Sequence, residues 1–267
     1  MKVIQKRVSV LYNTQVGSVY FRLGFVLPEL ARAVRPGQFV MVRTSDGPIP
    51  LLRRPFSVHK LIVEQEKRVG IELLYKVVGQ GTRLLSQAKA GDMFDVLGPL
   101  GNGFFCPSTQ PLHVFVVAGG VGIASLFYLS SFLAGCQGVN QTVFLGGCAA
   151  SDILCEKELR SLGIKVHVST EDCSLGEAGL VTDALKKGLG AYGKPDVIYA
   201  CGPQAMLKAV GEIAVSHDVS CQVSLESAMA CGFGVCLGCA VEKAAGECGY
   251  LHVCTDGPVF DFTDVKI

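Results

Sequence analysis

The sequence predicts a β + α/β protein: an antiparallel β-barrel, then a Rossmann-like parallel sheet with helices, then a small cysteine-rich module. Three observations predict it. Up to about residue 100, short β-type runs are separated by turn residues, as in a small barrel. From about 110 to 226, strand-like and helix-like stretches alternate, which is the pattern of βαβ units. Near the C-terminus Cys231, Cys236 and Cys239 crowd together, with Cys254 following. The expected boundaries are 1–103, 104–226 and 227–267.

The barrel runs are 8–12, 19–26, 38–42, 56–59 and 70–78. Turn residues such as Arg35-Pro36-Gly37 and Ser45-Asp46-Gly47-Pro48 punctuate them. The expected strands of the parallel sheet are 112–117, 141–145, 164–169, 196–201 and 219–225. The expected helices are 121–134, 152–162, 179–189 and 203–216. The apolar run 114–133 is interrupted by Gly119, Gly120 and Gly122 and holds Ser125, Ser130 and Ser131. It reads as a buried strand–turn–helix, not a membrane span.

Composition narrows the class. The chain has 267 residues, 49% of them apolar and 18% charged, with a formal net charge of +1. Such a balance gives no field for nucleic acid or a membrane surface. The N-terminal Met1-Lys-Val-Ile-Gln-Lys-Arg is charged and strand-like, unlike a signal peptide. A reducing, cytoplasmic setting is therefore expected, with the twelve cysteines free or metal-bound.

Cys231, Cys236, Cys239 and Cys254 give C-x4-C-x2-C and one distant Cys, the ligand order of a plant-type [2Fe–2S] cluster. Glycines 232, 234 and 238 between them let the loop turn its N–H groups inward. The rival is zinc, which also takes four cysteines, but zinc ribbons use two C-x2-C knuckles and here there is one. Cys248 competes with Cys254 for the fourth place. Of the apolar residues around the cluster, Leu225, Met229, Phe233, Val235 and Leu237, some would shield it and others would meet a partner.

Two glycine loops and one arginine turn carry further chemistry. Gly119-Gly120-Val121-Gly122 follows the first strand of the α/β region, where a pyrophosphate meets a helix start. Ser125 occupies the third glycine position of the dinucleotide fingerprint, so simple helix packing is the competing reading. Gly79-Gln80-Gly81-Thr82 joins a strand to a short helical stretch that Thr82 can cap, leaving N–H groups for a phosphate; its bland reading is a plain turn. Arg53-Arg54-Pro55-Phe56-Ser57 offers a rigid guanidinium fork and a hydroxyl, or merely two solvated arginines.

Together these blocks resemble the ferredoxin–NADP reductase superfamily: Arg54-Pro55-x-Ser57, Gly79-x-Gly81-Thr82, Gly119-Gly120-Val121-Gly122 and Cys201-Gly202-Pro203, in that order. With the cysteine cluster and Cys254-x-Asp256-Gly257-Pro258-Val259-Phe260, the whole chain resembles the electron-transfer subunits of B-type, NAD-dependent dihydroorotate dehydrogenases. The resemblance implies FAD on Arg54, Pro55, Phe56, Ser57, Leu74, Tyr75, Lys76, Gly81 and Thr82. It implies NAD on Gly120, Val121, Gly122, Cys201, Gly202 and Pro203, and the cluster on Cys231, Cys236, Cys239 and Cys254. It favours Cys254 over Cys248, because Cys254 begins the family-like run. No catalytic side chain is expected, since hydride transfer between nicotinamide and flavin needs none. The implied partner is a catalytic subunit carrying FMN, in a heterotetramer of two chains of each kind. Sulfide dehydrogenase and NADH–ferredoxin–NADP⁺ transhydrogenase subunits also resemble this chain, but typically place Asp where Cys231 stands. A non-enzymatic iron–sulfur or zinc module would leave the glycine and arginine blocks unexplained. In the turn after the second α/β strand stands Asp152 and no arginine, which suits the free ribose of NAD.

Overall fold

A computed structural model describes residues 3–107, 110–244 and 248–267. It has two compact units. The first comprises Met1–Gly103, Glu226–Ala240 and His252–Pro258; the second comprises Phe104–Leu225, Val241–Leu251 and Val259–Ile267.

In the first unit the chain runs β1 (Ile4–Gln15), β2 (Tyr20–Val26), α1 (Pro28–Ala33), β3 (Phe39–Arg43), β4 (Arg54–Ser57), β5 (Lys60–Glu64), β6 (Lys67–Lys76), α2 (Gln80–Ser86) and β7 (Met93–Leu100). Its strands form one antiparallel sheet in the order β4-β3-β7-β1-β2-β6-β5, the expected barrel-like sheet. Val8, Val10, Leu23, Phe25, Val40, Ile71 and Leu73 alternate into its core, the period-two pattern of a half-buried sheet. Strands β5 and β7 escape the sequence reading. Gln65 and Glu66, both at positive φ, turn β5 into β6 without glycine, so no turn signal marks the hairpin. Strand β7 ends in Leu-Gly-Pro-Leu, which reads as a loop.

In the second unit follow β8 (Leu112–Gly119), α3 (Ile123–Ala134), β9 (Val139–Gly147), α4 (Glu156–Ser161), β10 (Lys165–Thr170), β11 (Glu177–Ala178), α5 (Val181–Tyr192), β12 (Val197–Cys201), α6 (Gln204–Ser216) and β13 (Ser220–Ser224). Short strands β14 (Ala240–Glu242) and β15 (Tyr250–His252) pair as a ribbon, and β16 (Val259–Asp261) closes the large sheet. The order β11-β10-β9-β8-β12-β13-β16 is parallel except for β16. The chain winds outward from β8 through β11, then returns to β12 on the other side of β8. That reversal makes the C-terminal ends of β8 and β12 the topological switch point, the place where open α/β sheets take their ligands. The expected helix 152–162 is shorter: Ala150–Asp152 is one 3₁₀ turn, and the α-helix starts at Glu156. Among the described residues no helix is long and apolar enough to cross a membrane.

Candidate functional site: a cysteine loop and two nucleotide floors

The cysteines stand as two thiol pairs within the first unit. The Cys236 thiol lies beside Cys231 and the Cys239 thiol beside Cys254, with Cys231 near enough for its charge to act on Cys254. The inner pair is buried, each member 2% exposed; Cys231 is half-buried and Cys236 exposed. Burial pushes the Cys231 thiol up, but N–H groups outweigh it. Those of Cys236 and Phe233 lie 3.4 Å from Sγ, and with the Cys236 thiol and the Val235 N–H they bring Cys231 down to about 6. Cys254 is pushed up to about 12, first by burial and then by the Cys239 thiol beside it; the Gly234 N–H opposes this. Cys248, the competing fourth residue, is exposed and belongs to the second unit.

Among the described residues, no three His, Cys, Asp or Glu side chains converge on one ion-sized point. Four neighbouring thiols, arranged two by two, suit a two-iron cluster, in which each iron takes two thiolates, better than one tetrahedral zinc. The loop's backbone N–H groups already point at sulfur, as a charged cluster requires.

What brings Cys254 inward is a turn that the motif only hints at. The Asp256 carboxylate accepts the His252 N–H at 2.7 Å, and the N–H groups of Thr255 and Asp256 donate to the His252 carbonyl. Asn102 then clamps this turn through its side-chain amide, to the carbonyls of Thr255 (3.1 Å) and Asp256 (2.9 Å). The other side of the cluster loop rests on β3. A Cβ on Gly232, which sits at φ +81°, would fall 2.5 Å from Met41 Cγ. Met41 is the register partner of Pro55 in β4. The cysteine loop and the Arg54–Ser57 segment thus meet the same strand. Phe233, Val235 and Leu237 point outward from the loop, 49, 72 and 58% exposed.

The two adjacent arginines have different duties. Arg53 directs Nε and Nη2 to Asp95 Oδ1 at 2.9 and 2.6 Å, a half-buried pair also braced by Gln5. Arg54 instead donates to the carbonyls of Leu52 and Arg53 and lies across Gly81. A Cβ on Gly81 would stand 3.2 Å from Arg54 Nε and 3.3 Å from Thr44 Oγ1. Thr44 Oγ1 is buried with no hydrogen-bond partner among the described residues. An orphaned hydroxyl and a guanidinium beside an empty Cβ position form a place that fits a phosphate-bearing cofactor.

Thr82 uses its hydroxyl for capping, in line with the expectation from sequence. It accepts the N–H groups of Val78 (2.9 Å) and Gly79 (3.1 Å) and donates to the Gly79 carbonyl, so it builds the loop from within. Leu74 and Tyr75 turn their side chains into the core, leaving the strand's backbone as the available surface. Tyr75 packs edge-on to Phe56 and stacks on Phe21, each at 5.7 Å. Lys76 is exposed, its ammonium 5.5 Å above the Tyr20 ring.

In the second unit the two predicted nucleotide blocks come together. Ala118 and Cys201 are register partners at the ends of β8 and β12. The glycine turn and Cys201-Gly202-Pro203 interlock through missing side chains. A Cβ on Gly122 would collide with the Cys201 carbonyl and lie 2.8 Å from the Gly202 nitrogen; one on Gly119 would lie 2.8 Å from Pro203. Gly120, at φ +52°, has open space where a side chain would project. Ser125, which spoils the fingerprint, is buried and donates to the Gly122 carbonyl at 3.2 Å. It fastens the turn instead of admitting a ligand. Cys201 is buried, so its thiol is not an exposed nucleophile. We expect Gly122→Ala to lose about 1–3 kcal/mol of stability by overpacking and to raise the KM for NADH. Thermal melting and steady-state kinetics check both; an unchanged KM would refute the second.

Beyond β9, Asp152 accepts the Ala149 N–H at 3.4 Å. Beyond the neighbouring β10 stand Glu171 and Asp172; hydrogen bonds from the Ser174 hydroxyl and N–H hold the Asp172 carboxyl below its ordinary value. Sequence reading missed Met41, Thr44, Asn102 and these last two carboxylates, because each is one ordinary residue whose meaning depends on distant neighbours.

Comparisons with known proteins agree with this geometry. Residues 226–266 match the iron-sulfur cluster binding domain of dihydroorotate dehydrogenase B, and residues 116–212 an oxidoreductase NAD-binding domain. The electron transfer subunit of dihydroorotate dehydrogenase B (NAD(+)) from Desulforamulus reducens is 40% identical, over 97% of this chain and 96% of that one. Its counterpart from Listeria monocytogenes is 38% identical, over 99% and 100%. The solved structure of an NADH-dependent reduced ferredoxin-NADP oxidoreductase, studied for flavin-based electron bifurcation, superposes with a TM-score of 0.85 at 30% identity. It covers 98% of this chain and 90% of that one. A ferredoxin reductase of carbazole 1,9a-dioxygenase, 17% identical over 82% of this chain and 67% of its own with a TM-score of 0.69, shares the fold. Near-full-length identity at this level, with the cluster-binding domain in place, means that the chain belongs to the family of electron transfer subunits of dihydroorotate dehydrogenase B (NAD(+)).

Proposed function

We propose that the chain carries electrons from dihydroorotate, oxidised on an FMN-bearing catalytic partner, to NAD⁺. The observation that carries this reading is the shared strand: Met41 supports the cysteine loop and pairs with Pro55 of the Arg54–Ser57 segment. A cysteine loop resting on one strand and a flavin segment on the next suit a relay. When bound, FAD joins the one-electron chemistry of an iron–sulfur cluster to the hydride chemistry of NAD.

The chain's own residues divide the work. Cys231 with Cys236, and Cys239 with Cys254, hold a [2Fe–2S] cluster. Arg54, the Thr44 hydroxyl and the Gly81–Thr82 loop hold FAD phosphates, while Pro55, Phe56, Ser57 and the backbone of Leu74, Tyr75 and Lys76 flank the flavin. Gly120, Val121 and Gly122 receive the NAD pyrophosphate, and Cys201, Gly202 and Pro203 form the floor under the nicotinamide. Asp152, with Glu171 and Asp172 nearby, disfavours a 2′-phosphate by like charge, which supports NAD over NADP. The exposed Phe233, Val235 and Leu237 suit the partner's surface better than a shielding role. A cytoplasmic heterotetramer of two chains of each kind completes the reading.

The bifurcating relative at 30% identity makes a transhydrogenase subunit the second reading; 40% identity to dihydroorotate dehydrogenase subunits, and a cysteine at 231, favour the first. Co-expression with the FMN partner decides between them. The purified complex is expected to reduce NAD⁺ with dihydroorotate, and NADH is expected to reduce its flavin at least about tenfold more efficiently than NADPH, a ~1.4 kcal/mol preference. A colourless preparation containing zinc, or a complex inert to dihydroorotate, would defeat the proposal.

A further inference from the structure

We propose that Asn13 is a positioning residue for FAD, tying together both ends of the segment that forms the phosphate loop; this rests on the FAD reading of Arg54, Gly81 and Thr82 above. Asn13 lies on β1, far in sequence from that segment. Its side-chain amide donates to three carbonyls at the end of α2: Leu85 at 3.1 Å, Ser86 at 3.2 Å and Ala88 at 3.1 Å. A helix end leaves four carbonyls without intrahelical partners, and here one amide gathers three of that region's oxygens. The carbonyl oxygen of the same side chain accepts the Tyr75 hydroxyl at 3.4 Å. Burial pushes the Tyr75 hydroxyl up from its ordinary value, so it stays a donor.

Tyr75 is where the chain leaves the core toward the loop, and Leu85 to Ala88 is where it returns. Between these points lie Gly79, Gly81 and Thr82. Thr82 fixes the loop from inside, and Asn13 closes its base from outside. With α2 only Gln80–Ser86, the helix has too few turns to hold its own direction. Loss of the Asn13 tie lets α2 swing, and Gly81 then moves relative to Arg54.

The test is FAD binding by folded, FAD-stripped protein within the complex. Asn13→Ala is expected to raise the FAD dissociation constant about tenfold and to alter the visible circular dichroism of the bound flavin. NADH affinity and cluster absorption stay unchanged. Tyr75→Phe, which removes one of the four contacts, is expected to have a smaller effect, and Asn13→Asp, which loses the donors, an effect at least as large as Asn13→Ala. Should Asn13→Ala lower only the melting temperature, with FAD affinity and flavin spectrum at wild-type values, Asn13 is structural and the inference fails. An Arg54→Gln control separates the two layers. If that variant also binds FAD normally, the FAD reading itself has failed.

Discussion

Cys254→Ser is expected to remove the visible absorption and electron paramagnetic signal of the iron–sulfur cluster, and Cys248→Ser to leave both intact. Cys254 is buried against Cys239 and touched by the Gly234 N–H, inside a turn fastened by Asp256 and Asn102. A serine hydroxyl there offers a harder, less easily ionised donor than thiolate. Dihydroorotate-to-NAD⁺ turnover is expected to fall by more than about a hundredfold, beyond the 10–100-fold typical of losing an outer-shell contact. NADH oxidation by a two-electron dye stays within about twofold, because it needs the flavin alone. A Cys248→Ser chain that lost its cluster would reverse the assignment.

The second large effect is expected at Arg54. Replacing it by Gln removes a charge that lies beside the orphaned Thr44 hydroxyl and the bare face of Gly81. A hydrogen bond to a charged group contributes about 1.5–3 kcal/mol, so FAD affinity is expected to drop by about 10–100-fold. Arg53→Gln is the matched comparison. Its guanidinium is committed to Asp95, so its loss destabilises the fold by about 1–3 kcal/mol and leaves FAD affinity near wild type. Equilibrium dialysis of FAD against both variants checks the pair. The opposite ranking would show that the neighbouring arginine holds the phosphate.

The chemistry legible in the sequence was the chemistry written in contiguous residues. Glycines at 119, 120 and 122, the Arg54-Pro55 turn and the cysteine spacing each encode a local backbone shape, so a linear reading reaches them. The parallel sheet was legible for the same reason, since alternating strands and helices repeat along the chain. Pairing was not. Spacing names four cysteines, yet only the folded turn shows that Cys231 stands with Cys236 and Cys239 with Cys254. Asn13, Thr44 and Asn102 are unremarkable letters until tertiary folding sets them against partners far away in sequence. Strand β5 stayed hidden because Gln65-Glu66 makes a turn whose backbone conformation most sequences give to glycine or asparagine.

The interlock of Gly119 and Gly122 with Cys201-Gly202-Pro203 bears on redesign. That floor is specified by atoms that are missing, and backbone meets backbone across it. On the proposed NAD reading, coenzyme preference can therefore be re-engineered at the far rim, around the half-buried Asp152 and the exposed Asp172, by side chains that still accept the Ala149 and Ser174 N–H groups. The floor itself has no comparable freedom: almost any residue larger than glycine there wedges two strand ends apart before it meets the coenzyme.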